Sequence, residues 1–320
     1  MGMAKKTINE IIKGKAPITP ETSLKLESVL GASANFWNNL EANYQEVLAR
    51  INAKQAIEED IEVLKSIPYN EISKLGWIDV TTDKKERVIN SRRYYGVAFL
   101  GLIKNSYSVR FRQGKANYTI SNYGVLAWLI KAEKQGIDIK VEMFNKIKLK
   151  NLIPEFRRLT LEEPEVFYPK MKKLCAECGI ALVLVHALSK TYIQGATIWK
   201  NGKAILALTV RGKKADIFWF TFFHELAHLI HHGKKETHIN YDGCDKQEDE
   251  ADTISRGYLI SMEKYNVFIN NYDYTNKSMI LKYAEEIEIH PCILIGRLLH
   301  DELISYDKWC NDMRPSFEIK

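Results

Sequence analysis

Ile217-Phe218-Trp219-Phe220-Thr221-Phe222-Phe223-His224-Glu225-Leu226-Ala227-His228-Leu229-Ile230 is the stretch on which the reading of this sequence turns. Its apolar flanks predict a buried helix over residues 216–231. Polar side chains away from water cost free energy unless they are paired. His and Glu inside such a helix therefore ask for a reason. Histidines at i and i+4 lie on one helix face, one turn apart, so both imidazoles reach a single ion. Glu225 projects between them, beside the same ion, where it can take a proton from water. A catalytic zinc site uses three protein ligands and keeps one position open. The spacing thus predicts Zn2+ held by His224 and His228, with Glu225 as general base.

A third ligand has to come from elsewhere. The pattern with a further histidine six residues on does not apply, because Lys234 stands there and His231 stands where that pattern has Gly. A carboxylate from the following helix is the alternative, and Glu248-Asp249-Glu250-Ala251-Asp252 supplies one. On a helix Glu248 and Asp252 share a face, while Glu250 points about 200° from Glu248. Glu248 is the preferred ligand and Glu250 the reserve. Asp252 is then placed to accept a ring N–H from a ligand histidine. His231, His232 and His238 are candidates for oxyanion contact or proton donation. Arg211 follows a strand read at 204–210 and is a candidate for substrate contact, with that strand as an edge to which a peptide adds.

Outward from the motif, Ile180–Val185 is a continuous apolar run of the kind buried strands have. The segments 196–199 and 204–210, joined by Lys200-Asn201-Gly202-Lys203, predict a hairpin through the Asn-Gly signal. One helix is predicted over 245–265, and a later one has Ile293, Leu294, Leu298 and Leu299 on its core face. Upstream, Thr19-Pro20 and Ser33 read as helix starts, and Gly14 and Gly31 as helix stops. The helix that starts at Ser33 runs on toward Leu64. Tyr94, Tyr95, Phe99, Tyr107, Phe111, Tyr118 and Tyr123 read as core. The fold class is α+β, mostly helical. The organisation predicted is a helical segment at 1–50, a helical middle region at 51–165, and a metal-site domain with a small antiparallel sheet at 166–320.

Composition fits this. The 320 residues are 46% hydrophobic and 27% charged, with a net charge of +6, which permits an anionic partner without demanding one. No apolar run reaches the roughly 18 residues of a membrane span, and no secretory signal opens the chain, so no membrane partner and a cytoplasmic location are expected. Five scattered cysteines do not form a disulfide framework. Cys175 and Cys178 read as two small residues on one helix face.

Two resemblances follow from these residues. The segment from about 175 to 262 resembles the ImmA/IrrE family of metallopeptidases. The matching stretches are Gly195-Ala196-Thr197-Ile198-Trp199, the run from Phe218 through His228, and Glu248-Asp249-Glu250-Ala251-Asp252 with Leu259-Ile260. Where that family often has Phe-Ala and Pro, this chain has Ile254-Ser255 and Ser261. The resemblance implies a gluzincin-like zinc fold and a narrow regulatory substrate, such as a repressor or toxin. Residues 7–45 resemble the helix-turn-helix domain of HigA-type (XRE) antitoxins, through Thr7–Ile12, Pro17-Ile18-Thr19-Pro20-Glu21-Thr22, 24–30 and Phe36-Trp37-Asn38-Asn39-Leu40. That resemblance implies DNA contacts from Lys5, Lys6, Thr7 and Asn9 on a recognition helix. The first two helices of that domain are expected to be missing, which counts against DNA. The same segment reads equally as a dimerisation element, giving a homodimer. Two functions are thus expected: a zinc endopeptidase, or an antitoxin-like regulator of DNA or a toxin whose metal site is structural or vestigial.

Overall fold

The computed structural model describes residues 2–103, 121–209, 213–232, 238–239 and 246–317. Its helices begin with α1 (Lys5–Ile12), α2 (Pro20–Leu30), α3 (Ala34–Leu64), α4 (Tyr69–Lys74) and α5 (Lys84–Tyr95). They continue with α6 (Asn122–Ile137), α7 (Lys146–Asn151), α8 (Ile153–Arg158) and α9 (Pro164–Glu177). The strands β1 (Ile180–Val185), β2 (Gly195–Lys200), β3 (Lys203–Thr209) and β4 (Lys213–Lys214) come next, then α10 (Ala215–His231) and β5 (His238–Ile239). The chain ends in α11 (Lys246–Leu259), α12 (Met262–Asn271), α13 (Lys277–Glu286), α14 (Pro291–His300), α15 (Lys308–Asp312) and β6 (Ser316–Phe317). The architecture is α+β and mostly helical.

The chain divides into two compact units. The first comprises Met1–Lys65, Thr81–Arg93 and Val97–Leu102. Here Thr19 caps α2 by accepting from the Thr22 N–H, with Pro20 at the first helical position. Gly31 ends that helix at φ 78, in the left-handed region. Ser33 caps α3, which runs unbroken to Leu64. Asp60 is buried and accepts from the Leu100 N–H and from Arg92 Nε at 2.7 Å.

The second unit comprises Ser66–Val80, Tyr94–Gly96 and Ile103–Lys320, and carries the sheet, in the order β1-β3-β2-β5. Asn201 (φ 51) and Gly202 (φ 77) form the two-residue turn of the β2–β3 hairpin, closing Lys200 onto Lys203. Both φ values are positive, the signature of the turn whose twist matches paired strands. The expected antiparallel sheet is in fact mixed. The segment 186–194 carries the chain from β1 past the position of β3, so β1 pairs with β3 in parallel, from Ile180↔Ala204 to Val185↔Thr209. This also makes β3 a central strand. The expected peptide-accepting edge at 204–210 is already paired on both sides, with β1 and with β2.

Strand alternation assigns the two faces of the sheet. Ile205 meets α6, where it packs on Gly136. Gly195 and Thr197 face α10. Helix α10 is thereby buried along nearly its whole length, with Trp219, Phe222 and Phe223 in the core beside Phe156 and Phe167. Cys175 and Cys178 are also buried, and burial raises both thiol pKa values, so they stay protonated. Among the aromatic residues expected in the core, Tyr94 and Tyr95 are buried and Phe99 is exposed, with the Arg92 guanidinium 5.3 Å from its ring centre. Tyr107, Phe111 and Tyr118 lie outside the described residues.

The single helix expected over 245–265 is two helices. Ser261 leaves the helical region (φ −59, ψ 146), and its hydroxyl accepts from the Lys264 N–H, so α11 stops and α12 starts there. At the far end, β6 pairs with β4, and the Ala215 N–H donates to the Pro315 carbonyl at 2.7 Å. Residues 315–317 thus anchor the first turn of α10.

Candidate metal centre

Helix α10 supplies His224, Glu225 and His228, each at most 2% exposed. Helix α11 packs along α10, burying the small residues Ala251 and Ser255. Their stripe fixes the rotation of α11, which turns Glu248 in its first turn toward the two imidazoles. His224 Nε2 lies 3.0 Å from His228 Nε2 and 3.1 Å from Glu248 Oε2, and His228 Nε2 lies 3.4 Å from Glu248 Oε1. Two ligand atoms about 2.1 Å from one tetrahedral ion stand roughly 3.4 Å apart. The three donors already have nearly that spacing, and they are the one group of His, Cys, Asp and Glu among the described residues arranged to hold an ion. A divalent cation fits these residues.

The surrounding hydrogen bonds set the tautomers. His224 Nδ1 donates to Asp252 Oδ1 at 2.8 Å, which turns the Nε2 lone pair toward the cluster. His228 Nδ1 lies 2.8 Å from His232 Nδ1, and His232 Nε2 lies 3.5 Å from Glu250 Oε2. Glu250 thus faces His232 while Glu248 faces the ligand atoms. His231 turns away and contacts the Tyr258 hydroxyl at 3.1 Å.

Electrostatics follow from burial and these partners. Burial lowers the pKa of His224, but its hydrogen bonds to Asp252 and Glu248 outweigh that and push it up to about 10. Burial acts to raise Glu248, yet the bonds from His224 and His228 hold it at about 2. Burial depresses His228. Without a metal, His224 therefore carries the cluster's positive charge as a proton, and a bound cation replaces that proton.

Glu225 sits behind the two histidines, against the sheet. Thr197 Oγ1 donates to its Oε2 at 2.7 Å, while Oε1 is buried with no hydrogen-bond partner. Burial pushes this carboxyl up to about 8, against the pull of the His224 charge and the Thr197 bond. A Cβ at Gly195 would stand 2.9 Å from Oε1, so only glycine leaves the carboxylate its present space. Gly195 and Thr197 had no assigned role in the sequence reading. Their signal was the strand alternation that turns both toward the helix.

Arg211 lies outside the described residues, and only the backbone of His238 is described. Lys5, Lys6, Thr7 and Asn9 are all exposed on α1, in the first unit.

Residues 179–292 match the family model of peptidase M78, the IrrE N-terminal-like domain. The matched stretch runs from the start of β1 to the start of α14 and contains all three candidate ligands, Glu225 and the sheet behind them. It supports a metallopeptidase domain of the ImmA/IrrE type. A search of curated proteins found no match to the chain. No described helix is long and apolar enough to cross a membrane.

Proposed function

We propose that the second unit is a zinc-dependent endopeptidase that cleaves a specific regulatory protein, a repressor or a toxin–antitoxin partner. The observation that carries this is the convergence of His224 Nε2, His228 Nε2 and Glu248 within 3.0–3.4 Å, with a buried carboxylate alongside. When bound there, a zinc ion supplies Lewis-acid polarisation of a peptide carbonyl and acidifies water. The chain's own residues do the rest. His224 and His228 present their Nε2 lone pairs, with Asp252 and His232 fixing ring orientation. Glu225 takes the proton from the attacking water and passes it to the departing amine. Thr197 holds the Glu225 carboxylate in place. The family-model match over 179–292 supports the metallopeptidase part of this reading.

The test is Glu225→Gln, assayed against candidate regulatory partners with zinc content measured in parallel. Full zinc with cleavage lost is the expected result. Cleavage at the wild-type rate removes Glu225 from the mechanism.

A second reading, an antitoxin-like regulator of DNA or a toxin, draws on the exposed Lys5, Lys6, Thr7 and Asn9 of α1. Its test is a mobility shift at two salt concentrations, since phosphate contacts weaken steeply with salt. Salt-sensitive, sequence-selective binding that Lys5→Ala and Lys6→Ala weaken supports it.

A further inference from the structure

The two candidate ligand histidines are held in different ways. His228 Nδ1 meets His232, whose Nε2 lies 3.5 Å from Glu250. The Glu250 side chain is 57% exposed, so that path ends in solvent. His224 Nδ1 donates to Asp252, and from there a path of polar contacts runs back into the fold. Asp252 needs that support. Its side chain is 36% exposed, so water competes for its oxygens. A single bond from the imidazole does not by itself fix the plane of a carboxylate that has two oxygens to offer.

The other oxygen, Asp252 Oδ2, faces Arg256 Nη2 at 3.7 Å, one helical turn on along α11. The same Nη2 is 3.2 Å from His300 Nε2, at the end of α14. His300 Nδ1 lies 3.1 Å from Asp301 Oδ1. The hydrogen-bond directions agree along this path. With its proton on Nδ1, His300 donates to Asp301 and accepts from the guanidinium, which can only donate. The far end is fixed, because Asp301 Oδ2 accepts from Arg297 Nε and from the Tyr265 hydroxyl, each at 2.7 Å. Among the described residues, Arg256 has no other ionic or hydrogen-bond partner. An arginine one turn from a part-exposed carboxylate adds little to stability. At 3.7 Å the pair also lacks the geometry of a strong two-point bond. The consequence of Arg256 therefore lies in where it keeps Asp252.

We propose that Arg256 is a positioning residue for the metal centre. It holds Asp252 so that Oδ1 stays on His224 Nδ1, and His300 aims the guanidinium from α14. The inference rests on the zinc reading above, since the orientation of the His224 ring matters to an ion only where His224 is a ligand. Removing a partner that stands behind a metal ligand typically weakens metal binding by about 10–100-fold. Asp252 acts on the ring directly and Arg256 acts through Asp252. The effect of Arg256 is thus the smaller one and is contained within that of Asp252.

The experiment is zinc affinity by chelator competition on the full chain, for wild type, Arg256→Met, Asp252→Ala and the double variant. Arg256→Met is expected to weaken zinc about tenfold, and Asp252→Ala more, within the range of about 10–100-fold. In the Asp252→Ala background Arg256→Met should cost nothing further, as action through Asp252 requires. The urea midpoint of Arg256→Met should stay near that of wild type. With Co2+ in place of zinc, the visible absorption of Arg256→Met should shift in the same direction as that of Asp252→Ala. His300→Ala changes a side chain that is 61% exposed. It should weaken zinc less than Arg256→Met does, and it carries the test if Arg256→Met does not fold. The proposal is overturned if neither Arg256→Met nor His300→Ala weakens zinc, or if either weakens it by the same factor with and without Asp252. A wild type that binds no zinc removes the metal centre and this proposal together. Wild-type binding with an additive cycle removes the positioning alone.

Discussion

Replacing Gly195 by Ala probes whether the sheet positions the carboxylate of Glu225. A Cβ at residue 195 meets Thr221 Cγ2 at 2.8 Å, Glu225 Oε1 at 2.9 Å and Glu225 Cγ at 3.1 Å. Contacts this short force a neighbour to move. Thr221 is held by the bond from its hydroxyl to the Ile217 carbonyl at 2.7 Å, and Glu225 Oε2 is held by Thr197. The free end, Glu225 Oε1, has the least to keep it in place, so the displacement falls on the proposed base. Overpacking of this kind costs about 1–3 kcal/mol of stability. Misplacing a catalytic group by about 1 Å costs about a hundredfold in rate. No atom of His224, His228 or Glu248 is among the three nearest to the new methyl. Urea unfolding, bound zinc and cleavage measured on one preparation therefore separate the effects. Stability should fall by about 1–3 kcal/mol, zinc should stay at the wild-type level, and the loss should appear in kcat rather than KM. A Gly195→Ala protein that cleaves at the wild-type kcat would refute the argument that the sheet sets the position of Glu225.

Three further outcomes follow from the same geometry. Zinc at about a hundredfold excess over its dissociation constant should stabilise the protein by about 2.7 kcal/mol, and His228→Ala should abolish that increment in a thermal melt. Breaking the buried Asp216–Arg314 pair with Asp216→Ala should cost about 3–5 kcal/mol, because it leaves a charge buried without its partner. The double variant Asp216→Ala/Arg314→Met should recover part of this, and urea titrations of all three variants check it. Asp301 gives a pH effect. Burial acts to raise its pKa, but bonds from Arg297, Tyr265 and His300 hold it at about 2 in the folded protein, against roughly 3.9 when unfolded. The stabilisation is thus fully present above about pH 4 and is lost as pH falls toward 2. The stability gap between wild type and Asp301→Asn, followed by urea unfolding, should close over that window and stay constant above it.

Short-range chemistry in the sequence carried much of the second unit. The apolar run around His224–His228 could be stable only as a buried helix, and the Asn201-Gly202 turn could join only two paired strands. The i, i+4 spacing of Glu248 and Asp252 put them on one face before anything was known of what that face meets. Other features needed the third dimension. Leu259-Ile260-Ser261-Met262 continues an apolar rhythm that reads as one helix, and only the cap from Ser261 to Lys264 breaks it. The parallel pairing of β1 with β3 depends on where the segment 186–194 carries the chain, which no periodicity records.

The face of α11 turned toward α10 depends on packing more than on the acidic residues themselves. Ala251 and Ser255, four apart on α11, are small buried residues over which α10 can approach closely. That approach brings Glu248 to the imidazoles and leaves Glu250 to His232. A bulky residue at 251 would push the helices apart and separate the two halves of the donor set without altering any proposed ligand. Arg314 and Asp216 make the same point at longer range. They meet 98 residues apart in sequence because Gly296 leaves room for the carboxylate, and they pin the first turn of the helix that carries the motif. The ligand types at the metal cluster are written locally, whereas their convergence is written in small residues that have no chemistry of their own.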